Sequence, residues 1–193
     1  MGTHIDVLFP RRFNVTASKL AERLTQTFST TASSLLTIKE HAWYSIELEP
    51  WHVTTISSGA DEPAYIKADG PYGFDVNLYD QVCSLGHPER FRRLHVSDSP
   101  VSGPLQDVIC SVVVALTGSA SFACVAGGMG DSDQALDLAY YEGAGFTDAC
   151  KLLETKLGAP AHSWSDLDVH RWLLHARETA NKTMHGRPRR SRS

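Results

Sequence analysis

The chain has 193 residues, 42% hydrophobic and 21% charged, a length and balance that suit one globular domain with a real core and exclude a disordered or fibrous chain. Its net charge of −4 is uneven: Arg187, Arg189, Arg190 and Arg192 fall in the last eight residues, and without them the remainder carries 14 basic against 22 acidic residues, or −8. A body this acidic excludes nucleic acid as the main ligand, since phosphate contacts need a basic face, and suits a basic protein partner instead. No apolar run reaches the roughly 18 residues of a membrane span. The opening MGTHIDVLFPRRF lacks the basic start and long apolar stretch of a secretion signal, and Asp6 stands where myristoylation needs Ser or Thr. The expectation is a cytoplasmic protein without a membrane partner.

Taken in chain order, THIDVLF alternates as a first strand, with Ile5, Val7 and Phe9 on one face, and Pro10 ends it. Asn14 or Thr16 caps a helix whose apolar stripe is Ala17, Leu20, Ala21, Leu24 and Phe28, and STTASS closes it. In LLTIKEHAWYSIELEP, Ala42, Tyr44, Ile46 and Leu48 alternate with Trp43, Ser45, Glu47 and Glu49, which predicts a half-buried strand. A turn at Lys39-Glu40-His41 would join it to Leu35–Ile38 as a hairpin. HVTTISS and AYIKAD read as short strands. In YGFDVNLYD the residues Tyr72, Phe74, Val76 and Leu78 share one face after a DGPYG turn. RFRRLHVS reads as a further strand.

Pro104 suits the first turn of a second helix, with Leu105, Val108, Ile109, Val112, Val113 and Leu116 at helical spacing. SASFACVA reads as a buried strand. In DQALDLAYY the alternation of Leu136, Leu138 and Tyr140 favours a strand. Thr147 opens a helix that Gly158 and Pro160 stop, and Ser165 starts a last helix running to Ala180. Strands and helices are segregated. The expectation is therefore α+β: a mostly antiparallel sheet covered on one face, in one domain over residues 1–182, with a disordered basic tail at 183–193.

No motif carries chemistry. The stretch FACVAGGMGDSDQALDL has the glycines of a phosphate cradle but no Lys or Arg between Phe122 and Asp148, so phosphate would be repelled. As a calcium loop it offers Asp131, Asp133 and Glu142, yet Ala135 and Leu136 occupy the positions that need Asp or Asn and Gly. Gly127, Gly128 and Gly130 read instead as a tight reversal between two strands. Cys83, Cys110, Cys124 and Cys150 form no C-x-x-C pair and read as reduced core thiols; Cys83 and His87, straddling a loop, are the one thiol-nucleophile alternative. Glu49 and His52 in EPWH are near neighbours in a turn. His162, His170 and His175 lack H-E-x-x-H spacing, and no G-x-S-x-G elbow occurs. No catalytic residue, metal site or cofactor is expected.

What the sequence does show is aromatic residues mixed with acids at positions read as exposed. Trp43 falls on the polar side of its strand with Glu47 and Glu49, Trp51 follows, and Tyr140-Tyr141-Glu142 and Tyr79-Asp80 repeat the mixture. With Asp131 and Asp133 these residues make a candidate partner-binding face, aromatics anchoring and acids steering a basic partner. In size, charge and organisation the chain is similar to bacterial immunity proteins of polymorphic toxin systems. That resemblance implies a non-enzymatic module that binds and neutralises a cognate toxin. It rests on no motif and transfers no site, and a small enzyme or a structural subunit of an assembly remain the alternatives.

Overall fold

A computed structural model describes residues 4–41, 50–59, 63–87, 100–119, 121–127, 131–167 and 171–176. Its elements in chain order are β1 (His4–Pro10), α1 (Ala17–Thr30), α2 (Ala32–Glu40), β2 (His52–Ile56), β3 (Tyr65–Asp69), β4 (Asp75–Leu78), β5 (Val82–His87), α3 (Ser102–Thr117), β6 (Ser121–Gly127), α4 (Asp131–Tyr140), α5 (Phe146–Leu157) and β7 (Trp172–Ala176), with 3-10 turns at Pro71–Gly73 and Trp164–Asp166. The strands form one sheet in the order β2-β3-β4-β5-β1-β6-β7, and every neighbouring pair is antiparallel. The fold is α+β, as the segregated pattern predicts.

Helices α1, α2 and α3 lie on one face of this sheet. Leu20, Leu24 and Phe28 of α1 and Leu105, Ile109, Val112 and Leu116 of α3 pack with Val7, Phe9, Phe74, Val76, Leu85 and Phe122 in one core. Helix α1 ends at Thr31, where the chain bends into α2. The Thr27, Thr30 and Thr31 hydroxyls all turn back onto carbonyls of the preceding turn, a competition that bends helices. Leu35 and Ile38 are therefore buried from a helix, not from the expected hairpin strand. The stretch 42–49 and the predicted strand RFRRLHVS lie outside the described residues, as does the tail.

The opposite face is also covered, which corrects the expectation of a single helical layer. Helices α4 and α5 pack on β6 and β1, burying Leu136, Ala139, Ala149 and Leu153 against Leu8, Ala123, Val125 and Trp172. Consecutive residues of β1 and β6 are buried on alternate sides, the mark of strands sandwiched between two layers. This second layer also resolves DQALDLAYY: Leu136 and Ala139, three apart, face the sheet from one side of a helix. Consequently the glycine-rich stretch joins a strand to a helix, not two strands. Two further readings change. VCSLGH is strand β5, so Cys83 and His87 share a strand and no loop separates them. The expected last helix is instead β7, whose Trp172 Nε1 donates to the Gly158 carbonyl at 2.8 Å.

Candidate functional site

Strand register assembles a polar layer on the face shared with α4 and α5. Gly86 of β5 pairs with Asp6 of β1 on one side and Asp75 of β4 on the other, and Asp75 pairs in turn with Asp69 of β3. Residues paired directly across strands share a face, so these three carboxylates stand in one cross-strand row with Gly86 in the middle. The next row on that face is Lys67, Asn77, Ser84 and Leu8. Gly86 has a specific task here: a Cβ on it would lie 2.6 Å from Asp75 Oδ1. The missing side chain is the space the Asp75 carboxylate occupies.

A tyrosine stack borders the row. Tyr79 lies between Tyr65 and Tyr140, stacked on the first at 4.9 Å and on the second at 4.5 Å, and exposed Tyr141 meets Tyr140 edge-on at 6.4 Å. Burial is the main force on these groups. It pushes the Asp75 carboxyl up to about 6, Asp6 adding to the rise while the Asn77 hydrogen bond and Lys67 pull against it. It holds the Tyr79 and Tyr140 hydroxyls well above the usual phenol range, with nearby Ser84 tempering Tyr140. Asn77 Nδ2 donates to Asp75 Oδ2 at 2.9 Å and Ser84 Oγ at 3.3 Å. Asn77 Oδ1 is buried without a hydrogen-bond partner, an arrangement that ordinarily destabilises a fold, while the buried Tyr140 hydroxyl has Ser84 as its neighbour.

The row lies where helical cover runs out. Helices α4 and α5 contact β6 and β1, so their cover reaches the Asp6 end of the row and falls away towards β3 and β2. Over β2 and β3 this face presents His52, Thr54, Lys67 and Asp69, with His52 and Asp69 exposed and Lys67 held to Asp69 at 2.9 Å. The surface is thus polar and aromatic, with a half-buried acidic floor.

The residues expected to form one acidic-aromatic face do not come together. Trp43, Glu47 and Glu49 lie outside the described residues, as do the side chains of Asp131 and Asp133 in the first turn of α4. Tyr141 is exposed as expected, at 47%. Trp51 is not exposed: it is buried on the α1 side of the sheet, edge-on to Phe28 at 4.9 Å and seated directly on Gly70. The chain enters β2 there, and the ring forms one wall of an apolar recess between the α1–α2 bend and the Pro71–Gly73 turn. That recess, about 370 Å³, is lined by Phe28, Leu35, Leu36, Trp51 and Tyr72 among others. Trp51 and Tyr141 therefore stand on opposite faces of the sheet.

The thiol alternative also loses its chemistry. Cys83 is fully buried, and burial pushes its thiol up to about 12, far from the thiolate a nucleophile requires. Among the described residues no three His, Cys, Asp or Glu converge as a metal site, and no helix is long and apolar enough to cross a membrane. Comparison with protein-family models, curated proteins and solved structures returned no match. The functional reading rests on the geometry of the chain itself.

Proposed function

We propose that this chain is a non-enzymatic binding protein that docks a basic partner protein on the uncovered half of its second sheet face. The observation that carries this reading is the row of Asp6, Asp75 and Asp69, which runs from the helix-covered β1 to the uncovered β3 and is flanked by stacked tyrosines. Acids at such a surface steer a basic partner, and tyrosines supply rigid contact area. The −8 charge of the chain before its arginine tail acts in the same direction at longer range. In its finer form the reading is that of an immunity protein, acting in the cytoplasm, whose partner is a toxin.

A small enzyme is the competing reading, and Asp75 is what favours it, because a carboxyl at about 6 suits proton transfer near neutrality. Binding accounts for more of the site: the tyrosine stack and the acidic surround both bear on recognition.

The test is co-expression with the product of the gene adjacent to its own. A stoichiometric complex on gel filtration that weakens as salt rises, with rescue of growth where that product is toxic, is the expected result. Neither complex nor rescue sinks the toxin form of the reading.

A further inference from the structure

We propose that the recess between the β1–α1 connection and the β4–β5 turn is a site for a small acidic zwitterion, a molecule with two carboxylates and one ammonium such as a free acidic amino acid. The inference goes beyond the docking reading and does not rest on it. The recess holds about 340 Å³, within the roughly 300–1,000 Å³ of small-molecule sites, and is lined by Arg11, Arg12, Phe13, Asn14 and Asp80. Backbone pairing builds it. The Arg11 N–H donates to the Gln81 carbonyl at 3.0 Å, which carries the β1–β5 ladder one step past Pro10 and sets the first arginine against the turn. Arg11 Nη1 donates to the Tyr79 carbonyl, so this guanidinium is fixed while the rest of its fork stays open. Asp80 is fixed as well, one carboxylate oxygen accepting from Gln81 Nε2 at 3.1 Å. The cap of α1 falls to Thr16, which leaves the Asn14 amide unused there. Arg12, Asn14 and Asp80 are exposed, so these polar groups are open to a ligand.

The charges give the ligand class. Two guanidiniums and one carboxylate share the recess, yet among the described residues no ion pair joins Asp80 to either arginine. Charges of both signs that are held apart suit a ligand that brings both signs. The guanidinium forks match carboxylates, two bonds at a time, and Asp80 accepts from an ammonium. Two guanidiniums less one carboxylate leave the recess at +1, in a body that is otherwise acidic. The matching zwitterion therefore carries −1, which calls for the second carboxylate. A plain anion would be opposed by Asp80, and a plain cation would meet two arginines. Phe13, packed on the core, supplies an apolar wall for a short methylene chain between the charged ends.

The probe is L-glutamate, titrated into the full chain at constant ionic strength while the Asn14 side-chain amide and the Arg11 Nε–H are followed by NMR. Both signals should move saturably. Glutarate, which lacks the ammonium, and L-glutamine, which lacks the second carboxylate, should each bind at least fivefold more weakly, and inorganic phosphate no better than glutarate. Arg12→Gln should weaken glutamate tenfold or more. Asp80→Asn should bring glutamate down to the affinity of glutarate and leave glutarate itself no weaker. Both side chains are exposed, so both variants should melt with the wild type. Glutarate or phosphate binding as tightly as glutamate overturns the proposal, because the arginines then form a plain anion site. So do equal affinities for glutamate and glutamine, unchanged binding in Arg12→Gln, or signals that never saturate. Signals that move only when the protein partner is added, and not with glutamate, assign the recess to that partner and overturn the proposal as well.

Discussion

The two faces of the sheet solve different problems with the same strands. Towards α1–α3, Val7, Phe74, Val76, Leu78 and Leu85 are almost completely buried in an apolar core. On the other side of β4 and β5, one residue away in sequence, stand Asp75, Asn77, Ser84 and Gly86, among them a charge made costly by burial and an amide oxygen left unpaired. Packing explains most of the first face, where the Trp51 indole nitrogen is the one buried polar atom without a partner among the described residues. It does not explain the second, where the chain carries features that weaken the fold, and a fold retains such features where they serve something other than stability.

The contrast can be broken by substitution. Phe74 sits on the apolar side, fully buried and edge-on to Phe28, so Phe74→Ala should cost about 3–5 kcal/mol in urea unfolding. One residue on, Asp75→Asn should act in the opposite direction. The folded chain holds this carboxyl at about 6 against an ordinary 3.8, so it binds the proton more tightly than the unfolded chain does. The wild type should therefore lose stability as pH rises from about 4 through 6, on the order of 2 kcal/mol, and the variant should lack that slope and melt higher at pH 7. A wild type whose stability rises across that window would show that Asp75 is not penalised.

Two glycines sharpen the comparison. A Cβ at Gly70 would meet the Trp51 ring at 2.4 Å, and that ring is buried edge-on to Phe28, so Gly70→Ala should cost about 1–3 kcal/mol, the usual range for overpacking. Gly86→Ala displaces the Asp75 carboxylate instead and should cost less, since the end of a side chain gives way more easily than a packed ring. The smallest effect belongs to Tyr140→Phe. Removing a buried hydroxyl whose neighbour is Ser84 should leave thermal stability within about 1 kcal/mol of wild type. A large loss would mean that this hydroxyl has a structural partner.

The sequence revealed those elements whose apolar period was unambiguous. β2, β3, β4 and β6 alternate or run apolar, and α1, α3 and α5 carry long stripes. The readings that failed, at α2, α4, β5 and β7, involve short apolar runs that fit both periods, and only tertiary burial separates the two. The site was nearly illegible for a different reason. Asp6, Asp75 and Asn77 occupy the polar positions of alternating strands, which on their own read as solvent-facing. Pairing register through β5 brings them together, from two strands far apart in the chain. Of the residues the sequence marks as exposed aromatics, Tyr79, Tyr140 and Tyr141 reach its border, and Tyr79 is buried there instead of exposed. The remaining signal was Gly86 inside an apolar stretch, a hint of close approach that one sequence leaves ambiguous.

β1 has a further consequence, in the order of assembly. The first strand of the chain lies deep in the sheet, where Val7 pairs with both Leu85 and Cys124. As the chain leaves the ribosome, β1 has no neighbour until β5 is made and keeps an open edge until β6 follows. Both loops must close before the central pairings repay their entropy, so the sheet closes late and as a unit. Any factor that shields β1 before β5 and β6 are made would therefore set the yield of folded protein without touching its final stability.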